Sequence, residues 1–290
     1  MLERVMRMNM VFLNGEWVGM DAAKISVFDR GFMFGDAIYE VMAAYRGRIH
    51  EKEEHLNRLE SSLDSVKIRS LISRTSLEKA LDESLIKNKV SNALIYLQIS
   101  RGVQFPRNHK IDLDIKPTTL ITVTEKKILD WKEIGPLELI TKDDFRWSRG
   151  DIKVTSLIAN VMLRNEAVLE GYDDAILVRD EKVTEATSAN IFFVKDGVIM
   201  TPKKSSFFLH GITRKTVLRL CKESGFKTVE RDISKKEIFE ADEVWLSSTG
   251  NELRPVVKVD GKYIGKNRSL EISVWRKLYE EYRKDSISES

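Results

Sequence analysis

Apolar and polar residues alternate around two short turns in the first part of the chain. The run MVFLNGEWV alternates on both sides of Asn14-Gly15, and AIYEVMAAYRGRIHE does so around Arg46-Gly47. Asn-Gly supplies the positive φ angles that a tight hairpin turn requires. The pattern therefore predicts two antiparallel hairpins.

Helical spacing replaces alternation in several later stretches. The segment HLNRLESSLDSVKI carries one apolar stripe, formed by Leu56, Leu59, Leu63 and Val66. A similar series follows Lys153 and is formed by Leu157, Val161, Leu163 and Leu169. Both series predict helices whose apolar residues pack against a core. Further helices are predicted in SLEKALDESLIKN, in ITRKTVLRLCKESG and from about Leu270 to the polar C-terminus.

Predicted strands and helices are mixed along the whole chain without strict βαβ alternation. Strands are predicted in ALIYLQISRG, TTLITVTEK, LELIT, DDAILVRD, NIFFVKD, GVIMTP, KTVERDI and EVWLSS. This order predicts an α+β (mixed α/β) fold whose sheets are mostly antiparallel. The polar segment KKILDWKEIGPLELIT, about residues 126–141, is the best domain boundary. No GxGxxG or P-loop pattern occurs, which argues against Rossmann and P-loop nucleotide binding.

Composition and charge narrow the class of protein. Of 290 residues, 42% are hydrophobic and 32% are charged, enough apolar residues for a sizeable core. The net charge of +3 comes from interleaved basic and acidic residues, so we expect no nucleic-acid partner. The single cysteine, Cys221, excludes an intrachain disulfide, and a buried position is expected for it. No apolar run approaches the ~18 residues of a membrane helix. We therefore expect a cytoplasmic protein without a membrane partner.

Lys153 and Glu185 are the first candidates for chemistry. Lys153 stands just ahead of a predicted helix, where a surface lysine is the ordinary interpretation and a buried reactive amine is the alternative. Glu185 ends a predicted strand in VTEATSANIFFV, and the small residues after it leave room for a flat ring. An ordinary surface turn would explain Glu185 equally well.

Two later segments have features that suit a phosphate group. LHGITRKTVL places Ile212 and Thr213 at a predicted helix start, where free backbone N–H groups and the helix dipole favour an anion. EVWLSSTGNELRPV places Ser248 and Thr249 directly after a strand, where hydroxyls and amides form a second anion-binding edge. An ordinary helix cap and an ordinary loop are the alternatives.

These blocks, taken in order, resemble the fold type IV pyridoxal-phosphate enzymes and among them the D-amino acid aminotransferases most closely. The matching blocks, from about Met10 to Gly265, are DRGFMFGDAIYEV, HLNRL, DIKVTSLIANV, EATSANIFFV, LHGITR and SSTGNELRPV. The resemblance implies a small N-terminal α/β domain, residues 1–128. It also implies a larger C-terminal domain, residues 129–290, with a β-barrel-like sheet and the reactive lysine. The active site is expected at the domain and dimer interface of a homodimer.

The resemblance also implies a role for each candidate residue toward pyridoxal 5′-phosphate. Lys153 would be the Schiff-base lysine, then the general base and acid, and Glu185 would partner the pyridine nitrogen. Leu209 would pack near the ring. The implied phosphate ligands are Arg58, Ile212, Thr213, Ser248 and Thr249. A carboxylate at the pyridine nitrogen keeps that nitrogen protonated, so the ring can stabilise the charge formed when Cα–H breaks.

The segment RGVQFPRNHKID resembles the Arg-x-His pattern of the D-amino acid subgroup. Arg107 and His109, with Tyr39, would hold the substrate α-carboxylate by charge-assisted hydrogen bonds. A basic surface loop is the alternative interpretation.

The activity that this resemblance implies is transamination of D-amino acids of the D-alanine type. The reaction would use 2-oxoglutarate, pass through the pyridoxamine form of the cofactor, and give a 2-oxo acid and D-glutamate. Its partners would be amino acids and 2-oxo acids. The alternatives are an L-branched-chain aminotransferase, an aminodeoxychorismate lyase and a non-catalytic protein that keeps the fold.

Overall fold

The chain is folded into two compact units. The structure is a computed structural model, and it describes residues 10–112, 114–265 and 273–288. The first unit takes in the described residues up to Ile128 together with Ile152–Ser156. The second unit takes in Leu129–Asp151 and the described residues from Leu157 onward. Each unit has its own sheet and helices, and the predicted mixed α+β class is confirmed.

The first unit is built on a six-stranded antiparallel sheet with strand order β2-β1-β6-β5-β3-β4. Its strands are β1 (Met10–Leu13), β2 (Glu16–Gly19), β3 (Ala37–Tyr45), β4 (Arg48–Ile49), β5 (Ala93–Ser100) and β6 (Thr118–Glu125). Both predicted hairpins are confirmed, with β1 paired to β2 and β3 paired to β4. Asn14 and Gly15 have φ of 53° and 100°, the positive values that this turn requires.

The described part of the first unit contains three helices: α1 (Arg30–Phe34), α2 (Lys52–Val66) and α3 (Arg74–Asn88). The predicted stripe of α2 is buried at Leu56, Leu59 and Leu63. These leucines share one apolar core with residues of the sheet such as Ile38 and Met42. Because side chains alternate along a strand, Tyr39 of β3 lies on the opposite, half-exposed face.

The segment around Lys153 extends the sheet of the first unit. Val154 forms an antiparallel bridge with Ile38 of β3. Tyr39 N donates to Lys153 O at 3.1 Å, and Thr155 N donates to Ala37 O at 3.0 Å. The sequence prediction assigned Lys153 to the C-terminal domain. Its backbone hydrogen bonds to β3 place it in the first unit instead.

The second unit is built on a nine-stranded sheet with order β12-β11-β10-β13-β14-β7-β8-β9 and β15 beside β14. Its strands are β7 (Leu137–Asp143), β8 (Asp174–Arg179), β9 (Lys182–Ala186), β10 (Asn190–Lys195), β11 (Val198–Pro202), β12 (Thr228–Arg231), β13 (Glu243–Ser248), β14 (Glu252–Val259) and β15 (Lys262–Tyr263). Three pairs are parallel: β11 with β12, β14 with β7 and β7 with β8. The other pairs are antiparallel, as predicted.

The helices of the second unit are α4 (Ile158–Leu169), α5 (Ile212–Glu223) and α6 (Val274–Ser288). The described residues of this unit also form 3₁₀ turns at Trp131–Glu133 and Lys235–Glu240. Helices α5 and α6 enclose a core in which Cys221 is buried, as predicted. The predicted start of the last helix, Leu270, lies outside the described residues. Among the described helices, none combines the length and hydrophobicity needed to cross a bilayer.

The prediction that the apolar series in α4 packs against a core is wrong for most of its residues. Leu163 is buried and Ala167 joins it, but Val161 is 59% exposed and Leu169 is 78% exposed. Helical spacing identifies residues that share a face. The spacing does not require residues of the same chain to cover that face. Among the described residues, none buries Val161 or Leu169 of α4.

Candidate active site

Lys153 lies over an aromatic surface in the first unit. Its Nζ is 4.1 Å from the centroid of the Tyr39 ring. Tyr39 in turn stacks on Tyr96 of β5, with ring centroids 5.6 Å apart. The Tyr96 hydroxyl donates to Gln98 Oε1 at 2.6 Å, and burial, followed by the neighbouring Tyr39, raises the pKa of Tyr96 to about 12. The amine therefore stands beside two stacked aromatic rings on the half-exposed face of the sheet.

Arg58 is held by a buried carboxylate that the sequence analysis did not single out. Glu40 of β3 is completely buried beneath α2, on the sheet face opposite Tyr39. Arg58 donates from Nε to Glu40 Oε1 at 2.7 Å and from Nη2 to Oε2 at 2.8 Å. Burial opposes ionisation of Glu40, but Arg58 and then His55 outweigh it and lower its pKa to about 2. The position of the Arg58 guanidinium is thus fixed by a permanent negative charge.

His55 is the second partner of Glu40. Its Nδ1 lies 2.8 Å from Glu40 Oε2, and its side chain is buried. Burial lowers the pKa of His55 below its ordinary value, although Glu40 opposes that shift. A carboxylate only accepts hydrogen bonds, so a neutral His55 must donate from Nδ1. Glu40 therefore holds one cation and one neutral donor.

Arg107 and His109 are brought together against one aromatic ring. The Arg107 guanidinium carbon lies 4.2 Å from the centroid of Phe34, and the His109 ring centroid lies 5.2 Å from it. Both residues are exposed, so their polar atoms are open to solvent. The buried Arg30 holds their loop in place, because its guanidinium donates to Asn108 O at 2.6 Å and to His109 O at 3.4 Å.

In the second unit, Glu185 is the penultimate residue of β9 and lies inside a buried network of charges. Arg146 Nη1 donates to Glu185 Oε1 at 2.6 Å. The same guanidinium binds Asp144 through Nε at 2.9 Å and Nη2 at 3.0 Å, and Thr184 Oγ1 donates to Asp144 at 2.8 Å. Burial raises the pKa of Glu185 to about 7, and Arg146 opposes that rise. This carboxylate can therefore change its charge near neutral pH.

Asn190 links Glu185 to the segment that precedes α5. Its Nδ2 donates to Leu209 O at 2.8 Å and lies 3.3 Å from Glu185 Oε2, while its Oδ1 accepts from Gly211 N at 3.1 Å. The Leu209 N–H also donates to Glu185. A Cβ at position 211 would lie 2.1 Å from Asn190 Oδ1, so only glycine allows this approach.

The start of α5 and the turn after β13 both offer free hydrogen-bonding groups. Among the described residues, no side chain caps α5, so the N–H groups of its first turn at Ile212 and Thr213 remain available. Ser248 ends β13 and Thr249 begins the turn to β14, and Ser248 Oγ accepts from Asn251 N at 3.3 Å. The neighbouring hydroxyl of Ser247 is buried and has no partner in the described part of the chain.

These groups match the chemistry of a phosphorylated pyridine. Uncapped helix amides and hydroxyls suit a phosphate, and so does a fixed guanidinium such as that of Arg58. A buried carboxylate suits a protonated ring nitrogen, and an amine suits an aldehyde.

Residues 37–259 match the amino-transferase class IV family. The chain belongs to this family. Class IV aminotransferases depend on pyridoxal phosphate, so the cofactor predicted from the sequence is confirmed. Among curated relatives, D-alanine aminotransferase of Bacillus licheniformis is 37% identical over 256 residues, which is 88% of this chain and 90% of the relative. D-alanine aminotransferase of Staphylococcus haemolyticus is 35% identical over 279 residues, 96% of this chain and 98% of the relative.

Solved structures confirm the fold type IV architecture of this class IV aminotransferase. The branched-chain amino acid aminotransferase of Escherichia coli superposes with a TM-score of 0.90 at 24% identity, over 97% of this chain and 96% of that one. The branched-chain aminotransferase of the thermophilic archaeon Thermoproteus uzoniensis superposes with a TM-score of 0.87 at 23% identity, over 97% of this chain and 96% of that one.

The predicted site residues fall into two groups, one in each unit. The first unit holds Lys153, Tyr39, Arg58, Arg107 and His109, and it brings together the pairs Lys153 with Tyr39 and Arg107 with His109. The second unit holds Glu185, Leu209, Ile212, Thr213, Ser248 and Thr249, and it joins Leu209 to Glu185 by a hydrogen bond.

Sequence analysis missed the residues that hold these groups in place. Alternation along β3 could have identified Glu40, because it places that carboxylate on the buried face, opposite Tyr39. Helical spacing could then have added His55, which shares a helix face with Arg58. Arg146 and Asn190 give no comparable local signal, since their partners are distant in sequence or depend on the loop conformation.

Proposed function

We propose that this class IV aminotransferase transfers amino groups from D-amino acids of the D-alanine type to 2-oxoglutarate, giving a 2-oxo acid and D-glutamate. The observation that carries the proposal is the placement of Arg107 and His109 together on Phe34. A guanidinium and an imidazole side by side form charge-assisted hydrogen bonds to an α-carboxylate. The identity to D-alanine aminotransferases supports the D configuration.

We infer that the predicted cofactor-binding residues hold pyridoxal phosphate. When bound, the cofactor supplies an electron-withdrawing ring that makes the substrate Cα–H acidic. Glu185 holds a proton at the pyridine nitrogen, and Leu209 packs beside the ring. The phosphate is held by Arg58, Ile212, Thr213, Ser248 and Thr249.

Lys153 carries the proton in this proposal. Its Nζ would hold the cofactor and would accept the proton from the substrate Cα. The Tyr39 ring, 4.1 Å from Nζ, limits the directions in which the amine can move. The same amine would then return that proton.

We further propose that the enzyme works as a homodimer in the cytoplasm. The exposed apolar residues of α4, among them Ile158 and Leu169, support a partner chain over that face.

The test is amino-group transfer by the purified protein loaded with pyridoxal phosphate. We expect pyruvate from D-alanine and 2-oxoglutarate, with the cofactor band converting to the pyridoxamine form. L-leucine should leave that band unchanged, and Lys153→Ala should abolish turnover with D-alanine.

Three results would overturn parts of the proposal. Conversion by L-leucine alone would assign a branched-chain aminotransferase and leave Arg107 and His109 as surface residues. A cofactor band that neither amino acid changes would point to a lyase. Turnover that survives Lys153→Ala would remove that lysine from the reaction.

A further inference from the structure

The buried contact between Arg146 and Glu185 assigns a role to a residue that touches neither substrate nor cofactor in the proposed reaction. We propose that Arg146 is a positioning residue that fixes the Glu185 carboxylate and favours its ionised form, and that Asp144 sets how much of the Arg146 charge Glu185 receives. This inference rests on the proposed role of Glu185 toward the pyridine nitrogen.

The geometry of the guanidinium carries the first part of the proposal. Arg146 is only 8% exposed and directs three different nitrogens at two carboxylates. Nε and Nη2 bind Asp144 in a bidentate pair, which fixes the plane of the group, and Nη1 then reaches Glu185 at 2.6 Å. A planar fork held at one end can present its remaining donor in only one direction. Glu185 is therefore oriented through Arg146.

The surrounding charges carry the second part. The segment after β7 supplies Asp144 and Arg146, and β8 supplies Arg179, whose Nη2 lies 3.3 Å from Asp144 Oδ1 and donates to Arg146 O at 2.6 Å. The other groups facing Glu185, Asn190 of β10 and the Leu209 N–H, are uncharged donors. Only Arg146 brings a positive charge into contact with Glu185 among the described residues, and it shares that charge with Asp144.

This arrangement predicts shifts of opposite sign for the two members of the network. Arg146 stabilises the ionised form of Glu185, whereas the negative charge of Asp144 opposes it. Removing the cation should make Glu185 harder to ionise, and removing the Asp144 charge should make it easier. A residue that only filled space would produce neither pattern.

The test is an infrared titration of the full-length protein without cofactor, from pH 4 to 9. The carboxylic-acid C=O band that is absent from Glu185→Gln reports the protonation of Glu185. We expect Arg146→Met to raise the midpoint of this band by roughly one to three pH units, the effect of losing a contacting opposite charge. Asp144→Asn should lower the midpoint. Arg146→Lys should restore part of the shift, because the charge remains while the fork is lost.

Arg179→Met is the matched control, since Arg179 contacts Asp144 and does not contact Glu185. Its midpoint should move less than that of Arg146→Met. An unchanged midpoint in Arg146→Met, or an equal shift in Arg179→Met, would overturn the proposal. If Arg146→Met does not fold, Asp144→Asn decides, and an unchanged or raised midpoint there contradicts the inference. Donor stereospecificity of the loaded wild-type protein is measured separately, so the proposed function can fail without affecting the titration.

Discussion

Each unit contains a buried carboxylate beside an arginine, and the two carboxylates differ widely in acidity. Glu40 receives two hydrogen bonds from Arg58 and one from His55, and its pKa falls to about 2. Glu185 receives one hydrogen bond from Arg146, whose other contacts go to Asp144, and its pKa rises to about 7. Burial alone cannot explain this difference, because both side chains are almost completely enclosed.

Each carboxylate has three hydrogen-bond donors, so the difference lies in how much of the arginine charge each one receives. A bidentate arginine that serves one carboxylate compensates the loss of hydration, whereas an arginine shared by two carboxylates does so incompletely. Glu40 is thus suited to hold Arg58 at every physiological pH. Glu185 can lose its proton when a positive group approaches it, because a nearby positive charge lowers the pKa of a carboxyl group.

The largest effect should come from Glu40→Gln. This change leaves the largely enclosed Arg58 without its charge partner, so we expect the free energy of unfolding at pH 7 to fall by about 3 kcal/mol. Urea unfolding followed by circular dichroism measures it. Glu53→Gln is the control, because Glu53 pairs with Arg74 at the surface and its loss should change stability by less than ~1 kcal/mol.

The pH dependence of the wild-type protein sharpens the same prediction. The pKa of Glu40 is lower in the folded state than its ordinary value of 4.5. Its stabilisation is therefore present above pH 4.5 and is lost as the pH falls toward about 2. Glu40→Gln should lose less stability than wild type over this window. Parallel pH profiles would show that Glu40 is not the fixed charge.

Glu185→Gln should slow amino-group transfer by roughly a hundredfold, equivalent to about 2.7 kcal/mol, because the ring nitrogen loses its charge partner. Single-turnover conversion of the cofactor band by D-alanine measures this rate. The control is Glu181→Gln, an exposed position just before β9, which should keep the wild-type rate. Equal rates in both variants would remove Glu185 from the reaction.

Arg107 differs from Arg58 and Arg146, because its guanidinium lies against the Phe34 ring at the surface and, among the described residues, does not contact a buried carboxylate. Arg107→Gln should lower kcat/KM for D-alanine about tenfold, or roughly 1.4 kcal/mol, through loss of a carboxylate ligand. The free energy of unfolding should stay within ~0.5 kcal/mol of wild type, because the side chain is exposed. Steady-state kinetics checks the first expectation, with Lys110→Gln in the same loop as control. Equal kcat/KM in the two variants would contradict the carboxylate role.

The smallest effect should be a gain in stability from Glu185→Gln without cofactor. The folded pKa of Glu185, about 7, lies above its ordinary value of 4.5, so ionisation costs stability as the pH rises from 4.5 to 7. Glutamine avoids that cost but loses the charge contact with Arg146, and we expect a net gain of about 1 kcal/mol at pH 8. Urea unfolding at pH 8 and pH 5 should show the gain shrinking at the lower pH. A gain equal at both values would mean that Glu185 does not titrate in this window.

The sequence predicted local structure well where the chemistry is local. The Asn14-Gly15 turn requires only the two residues that form it, and the α2 stripe requires only regular spacing. The open face of α4 was not predictable in this way, because whether Val161 is covered depends on residues elsewhere. The contact of Arg146 with Glu185 likewise joins residues that only the folded sheet of the second unit brings together.

The hydrogen bonds between the Lys153 segment and β3 have a consequence for exchanging parts between related enzymes. A fragment that ends at Ile128 would carry β3 but not Ile152–Ser156, which completes the first unit. A chimera joined at that single point would therefore combine the sheet of one parent with the Lys153 segment of the other. Successful recombination should require the pentapeptide to be transplanted together with the strand that holds it.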